Sequence, residues 1–335
     1  MQRQEQFGLT LVELMVALAI GSFLVIGAVQ IYNQSRQAFV INESIARVQE
    51  TAQFAMDTIE ADLRMASNWG QTSRAATIEG RALPGDDDPK SLIVAGNTDA
   101  CGSRWVLDLA VPVDGENNSF GLPCAAQGGA MAQSDLITVR RASALPQLHQ
   151  PGRLQIQSTR IQGEIFSDGT PPPNFEVENM GDPLDPDNSS FTHNLFVTSY
   201  YVGQPDDDNL IPGVPTLRRK ALLVVGGNST IVDQEVAPGV ENLQVQLGID
   251  VDEDNTVDRY VNPGDEIYDP SAAGYVPGAR VLTARIWLVV RGVSPEIGIQ
   301  DNATYAPGDV NLGTYSDDFR RLQVSKTILL RNTRT

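Results

Sequence analysis

The densest chemistry in this chain lies at Asp250, Asp252, Asp254 and Asp258, in the run Asp250-Val251-Asp252-Glu253-Asp254-Asn255-Thr256-Val257-Asp258. Counted from Asp250, these aspartates stand at the first, third, fifth and ninth positions. With that spacing, alternate residues of a calcium loop turn oxygens inward onto a hard cation. Thr256, at the seventh position, would add its backbone carbonyl. Asn255 stands where such loops favour glycine, and Asn is the next most tolerant residue for a left-handed turn. The twelfth position is Val261, so the bidentate glutamate of a helix–loop–helix site is missing. Glu266 or Asp265, in the following loop, are the available substitutes. The flanks, 243–249 and 257–261, alternate as strands do. The pattern therefore predicts a Ca2+ site at the tip of a β-hairpin. The competing reading is an acidic tip that only keeps the hairpin soluble.

Little else in the chain offers chemistry. It has no Gly-x-Ser-x-Gly elbow, no phosphate-binding Gly-Lys-Ser/Thr loop and no dinucleotide glycine pattern. His149 and His193 lie in polar or proline-containing contexts and read as surface residues. Two cysteines and two histidines nearly exclude a zinc site built from those ligands. A net charge of −18 argues against nucleic acid, whose phosphates need Lys and Arg, and against docking on anionic lipid headgroups. The chain reads as a structural and assembly protein rather than an enzyme.

One more carboxylate stands out by position. Glu13 directly precedes residues 14–35, a run without any charge. As a helix that run spans roughly 33 Å, enough to cross a hydrocarbon core of about 30 Å. A secretory signal peptide has a shorter apolar region followed by a small-residue cleavage site, and no such site follows here. A carboxylate at the edge of a spanning helix must be hydrated or have a specific partner. Beyond residue 35 the helical pattern continues. Ile41, Ile45, Val48, Ala52, Met56, Ile59, Leu63 and Ala66 recur at steps of three and four, an amphipathic stripe. No proline occurs before Pro84, and Asn68 and Gly70 supply a stop. One helix is therefore expected over 9–66, roughly 87 Å long, apolar all round in its first half and amphipathic in its second.

The remainder, 67–335, reads as a β-rich domain. Candidate strands are 104–111, 135–141, 195–202, 216–225, 240–251, 280–291 and 321–331. Loops rich in Pro, Gly and Asp separate them, at 84–89, 169–174, 181–188 and 204–215. The expected fold class is α+β: a long N-terminal helix whose amphipathic half packs on a largely antiparallel sheet. If the helix holds this domain outside the cytoplasm, the compartment is oxidising, and Cys101 and Cys124 most simply pair. Two free buried thiols are the alternative.

The N-terminal string Phe7-Gly8-Leu9-Thr10-Leu11-Val12-Glu13 resembles the prepilin processing site of type IV pilins and type II secretion pseudopilins. The resemblance implies cleavage after Gly8 by a prepilin peptidase, methylation of the new N-terminus at Leu9, and a role for Glu13 in assembly. The first mature residue is Leu where Phe is usual. The leader, 1–8, carries Arg3 offset by Glu5 where several basic residues are usual. Further pieces resemble minor pilins of the PilW type. These are Arg47-Val48-Gln49-Glu50, the stretch from Asp62-Leu63-Arg64 to Trp69-Gly70, Leu217-Arg218-Arg219, Val240-Glu241-Asn242-Leu243-Gln244-Val245, Arg320-Arg321 and Thr327-Ile328-Leu329-Leu330-Arg331-Asn332. Relatives of that type often carry a similar acidic turn after the equivalent of Gly248. Residues 72–194 match nothing in that pattern.

By resemblance, the protein is inserted once in the inner membrane with its C-terminal domain periplasmic, then built into a pilus on the cell surface. There it would prime assembly at or near the tip and serve adhesion and twitching motility. The implied partners are other minor pilins of the PilX and PilV types, the major pilin, a tip adhesin and the prepilin peptidase. A J-type pseudopilin of a type II secretion system and an adhesin-like module anchored by a pilin helix are the alternatives.

Overall fold

The computed structural model of the chain describes residues 10–83, 101–172, 190–296 and 298–333. The chain separates into two compact units, Met1–Arg47 and Val48–Thr335. One helix, α1 (Leu11–Met65), contributes to both. Its length follows from composition, since no glycine interrupts it after Gly27 and no proline occurs at all. It ends at a left-handed residue, Ser67 (φ 62°), with the N–H groups of Ala66 and Asn68 turned back onto the carbonyls of Leu63 and Met65, both at 3.1 Å. The stop expected from Asn68 and Gly70 is thus made slightly earlier, at a serine.

In the first unit α1 buries almost nothing. Leu11, Phe23, Leu24 and Phe39 are 75%, 76%, 69% and 68% exposed. In the second unit the same helix presents Val48, Ala52, Ala55, Met56, Ile59 and Leu63 to a core. The stripe expected to begin at Ile41 and Ile45 is buried only from Val48 onward. The β-rich part, 67–335, and this last part of the helix lie together in the compact unit that starts at Val48.

After α1 come a 3-10 turn, Ala75–Thr77, and the short strand β1 (Ile78–Glu79). A short helix, α2 (Ser103–Leu107), then occupies ground expected to be a strand over 104–111. The sequence there, Arg104-Trp105-Val106-Leu107, is too short an apolar run for its period to separate helix from strand. The strands β2 (Val113–Glu116), β3 (Leu136–Ala142), β4 (Gln155–Ser158), β5 (Gly163–Phe166), β6 (Phe191–Gly203), β7 (Thr216–Val225) and β8 (Asn228–Pro238) join β1 in an eight-stranded sheet. Among the described residues, only β1 and β5 pair in parallel. The hub is β6: residues 191–194 pair with β4, 195–200 with β3 and 198–203 with β7. A two-residue turn, Gly226-Gly227 with φ of 61° and 84°, joins β7 to β8. Two successive positive φ values suit the right-handed strand twist, and glycine adopts them without strain.

A second sheet holds β9 (Val240–Asp250), β10 (Arg259–Val261), β11 (Arg280–Arg291) and β14 (Arg321–Leu329) in the order β10-β9-β11-β14, all antiparallel. The strands β12 (Thr304–Tyr305) and β13 (Gly313–Thr314) form a small separate pair. The fold is α+β with a mixed, mostly antiparallel sheet domain, as the sequence implies.

The two larger sheets and the second part of α1 share one hydrophobic cluster. Ile59 and Leu63 of the helix lie in it with Ile137, Val139 and Tyr200 of the first sheet and with Leu243, Val245, Ile286 and Leu288 of the second. Each such side chain, fully buried, contributes about 1.5–3 kcal/mol. A second cluster gathers Trp69, Ile78, Val106, Leu107, Leu154 and Ile156. Two acids on the buried side of α1 fix its rotation. Asp62 accepts from Arg141 of β3 (Nε 2.9 Å, Nη2 2.7 Å) and from the Tyr200 hydroxyl of β6 (2.7 Å). Glu60 accepts from Lys326 of β14 and from Arg64 one turn on (Nε 2.7 Å). One carboxylate thus holds the helix to the first sheet and the other to the second. The Lys326 hydrogen bond, with Arg64 beside it, outweighs burial and holds the Glu60 carboxyl below its usual range.

Candidate functional site

The processing residues Gly8 and Leu9 lie outside the described residues. Immediately beyond them the chain begins α1 with a capping box. Glu13 Oε2 accepts from the Thr10 N–H and from the Thr10 hydroxyl, both at 2.9 Å, while the Glu13 N–H donates to Thr10 Oγ1 at 3.3 Å. The reciprocal bonds satisfy two of the donors that every helix start leaves over. The signal is Thr10-x-x-Glu13, a capping spacing legible in the sequence but not used in reading it. Glu13 has a specific partner within its own chain, and that partner is one residue from Leu9. The helix behind it is long and apolar enough to cross a membrane.

Cys101 and Cys124 are joined in a disulfide, with Cα atoms 4.4 Å apart and a sequence separation of 23. Both belong to the second hydrophobic cluster. Closing a loop of this size contributes about 3 kcal/mol by chain entropy.

The acidic run forms the connection between β9 and β10, as a hairpin. Asp250, Asp252 and Asp254 each place one carboxylate oxygen within 4.8 Å of the others. The turn takes left-handed backbone at Glu253 (φ 64°) and Asn255 (φ 67°). Asp258 lies outside the three-aspartate group, whereas Thr256 is bonded to one of its members. Asp258 Oδ2 accepts from the Val251 N–H at 2.7 Å, and the N–H and hydroxyl of Thr256 donate to Asp254 Oδ1 at 2.7 and 2.6 Å. Neither substitute for the missing glutamate is free. Asp265 Oδ1 accepts from Ile267 N–H at 2.9 Å, and Glu266 Oε2 from Gly274 N–H at 2.8 Å.

The reading of both histidines as surface residues is corrected at His193, which is 4% exposed. Its Nδ1 lies 2.8 Å from the Ser143 carbonyl. Burial lowers its pKa, and the Ser143 contact opposes this. A Cβ at Gly70 would fall 2.5 Å from both His193 Cδ2 and Ser158 Oγ. Gly70 is therefore needed for close approach at that point. Another buried group left no mark in the sequence: Asp135 is 1% exposed and accepts from Asn118 N–H (2.8 Å) and Val245 N–H (2.7 Å), so linking the two sheets. Burial outweighs those donors and pushes its pKa up to about 7.

Several strings that resemble PilW-type proteins turn out to be partners of one another. Arg321, its side chain 1% exposed, reaches Glu241 (2.6 Å), Asp317 (2.6 Å) and Asp301 (3.2 Å), with its guanidinium 3.7 Å from the Tyr315 ring. Arg218 pairs with Asp233 at 2.8 Å, as does Lys220 at 2.9 Å. Asn332 Nδ2 donates to the Ala66 carbonyl at 3.1 Å. Paired and largely buried, these charges hold β9 to β14 and β7 to β8 rather than presenting chemistry to a substrate.

Residues 3–29 match the family model of the prokaryotic N-terminal methylation motif. A prepilin N-terminus, a long apolar helix and a mostly antiparallel domain behind it define the class, type IV pilin-like proteins. Residues 199–332 match the model described as Type IV Pilus-assembly protein W, from the end of β6 through β14. Within the class, that portion of the chain is similar to minor pilins of the PilW type. Among solved structures, the type IV-like pilin TTHA1219 from Thermus thermophilus aligns over 67% of this chain and 84% of its own, with 14% identity and a TM-score of 0.29. That superposition is too loose to argue from. No curated protein matches the chain.

Proposed function

We propose that this minor pilin primes assembly of a type IV pilus and sits at or near its tip. The observation that carries the reading is the first part of α1. It is apolar on every side, exposed and headed by Glu13 beside the processing site. Such a surface is stable in lipid or against other helices, not in water. Moving from the bilayer to a bundle of like helices keeps it out of water throughout. The match to a pilus-assembly family supports a part in assembly, and the bulk of a two-sheet domain favours a place near the tip, being easier to accommodate where neighbours occupy one side only. Processing by a prepilin peptidase after Gly8 and methylation at Leu9 precede assembly. The partners are other pilins, with minor pilins of the PilX and PilV types, the major pilin and a tip adhesin as the specific candidates. The domain faces the periplasm before assembly and the cell exterior after it.

In the filament, Glu13 is positioned to exchange its own Thr10 contacts for the α-amino group that cleavage exposes at Leu9 or at a neighbour's N-terminus. Each charge alone would be costly in that medium. Glu13→Val is expected to leave membrane insertion and cleavage intact while sharply reducing co-purification with the other pilins from cross-linked membranes. Normal partner recovery and piliation with Glu13→Val would overturn the assembly role. N-terminal mass spectrometry showing an intact Met1 would overturn the processing step. Tomography of pili carrying a tag on this chain reads position directly, and label spread evenly along the shaft would overturn the tip assignment.

A further inference from the structure

The turn between β9 and β10 concentrates charge that the proposed assembly role leaves unexplained. Asp250 is 0% exposed, whereas Asp252 and Asp254 are exposed. Three carboxylates with oxygens within 4.8 Å of one another repel, and burial of one of them sharpens the repulsion. Arg280 answers only part of it. Its Nε and Nη2 lie 3.1 and 3.0 Å from Asp250 Oδ2, the same oxygen that accepts from the Asn255 N–H at 2.9 Å. All three donors therefore fall on one oxygen. The other, Asp250 Oδ1, is buried and has no hydrogen-bond donor. A buried carboxylate oxygen without a partner is costly. It is the oxygen Asp250 has left to offer the group it forms with Asp252 and Asp254.

We propose that Asp250, Asp252 and Asp254 bind a divalent calcium ion at the tip of the β9–β10 hairpin, with Asp250 Oδ1 as the buried ligand. A hard cation suits an all-oxygen donor set. It would satisfy the orphaned oxygen and remove the repulsion in one step. Arg280 stays in place, since it occupies the opposite oxygen of Asp250. Asp258 acts as a brace rather than a ligand: it lies outside the three-aspartate group, and its Oδ2 holds the Val251 N–H. With Val261 at the twelfth position and Asp265 and Glu266 engaged elsewhere, water completes the shell. The affinity then belongs with the weak extracellular calcium modules, with a Kd of about 10⁻⁴–10⁻³ M. Magnesium, which demands a near-ideal octahedron and gives up water reluctantly, competes poorly.

The test is isothermal titration of calcium chloride into the chelator-stripped full chain in a non-ionic detergent. It is paired with hydrogen exchange of the turn, 250–258, with and without calcium. The wild type is expected to give a saturable one-site heat and slower exchange confined to this turn. D252N/D254N alters exposed side chains only, so the fold persists, and affinity is expected to fall at least about tenfold. Asp250→Asn is avoided because it leaves Arg280 without its carboxylate. No saturable heat at millimolar calcium overturns the proposal. So does an unchanged affinity in D252N/D254N, or an equal response to magnesium.

Discussion

The two parts of α1 share one backbone and answer to different partners. Residues 48–65 carry an apolar stripe on one side, and the chain itself supplies what the stripe packs on. Polar residues among them are matched individually, Asp62 to Arg141 and Tyr200, Glu60 to Lys326. Residues 14–32 are apolar around nearly the whole circumference, and their large side chains are exposed. Amphipathicity on one side marks a helix whose partner is encoded in the same chain. Apolarity on every side marks one whose surroundings come from outside, as lipid or as other helices.

The sharpest way to break that contrast is to truncate one leucine in each part. Leu63→Ala is expected to lower the unfolding free energy of the second unit by about 2–5 kcal/mol, since Leu63 is fully buried. Leu24→Ala is expected to leave that transition unchanged within error. Equilibrium unfolding of both variants in the same detergent decides the matter, and equal shifts would dissolve the distinction. Reducing the Cys101–Cys124 bond comes next. It is expected to destabilise the second unit by about 3 kcal/mol, read as a lower midpoint with the helicity of the first unit retained. The most gradual effect is in pH. Asp135 is raised on folding from an ordinary value near 4 to about 7. Folded protein therefore holds its proton more tightly than unfolded protein. The stability linked to that proton is full below about pH 4 and lost as pH rises to about 7, at no more than about 1.4 kcal/mol per pH unit. Asp135→Asn is expected to abolish this slope. A difference between wild type and variant that stays constant across the window would show that burial does not raise the group.

What the sequence revealed and what it hid divide along similar physical lines. The N-terminal string and the long helix were legible because both are local and dense in signal. The long strands β7, β9 and β11 were legible because a strand of ten or more residues shows its period. The strand β8 was missed. Its sequence, Asn228-Ser229-Thr230-Ile231-Val232-Asp233-Gln234-Glu235, is polar enough to pass for a loop, though the Gly226-Gly227 pair ahead of it was a usable hairpin signal. At 104–111 a short apolar run carried too few residues to distinguish the two periods. His193 and Asp135 became interesting only through non-local burial, which no window of sequence contains. The acidic turn was legible as spacing. That Asp258 braces the turn while Asp250 keeps a spare oxygen depends on Arg280, thirty residues away.

The strand β6 has a consequence for modularity. The match to the PilW family model begins at residue 199, inside a strand that runs from Phe191 to Gly203. Upstream of that point β6 bonds to β4 and to most of β3; downstream it bonds to β7. The family-like portion and the portion without a counterpart are therefore not consecutive modules joined by a linker. They are spliced through one strand's hydrogen-bond ladder, and β6 is the seam. A chimaera that exchanged residues 67–198 for those of another pilin would keep β7, β8 and the second sheet. To fold, the incoming segment would have to present backbone donors and acceptors in register along β6.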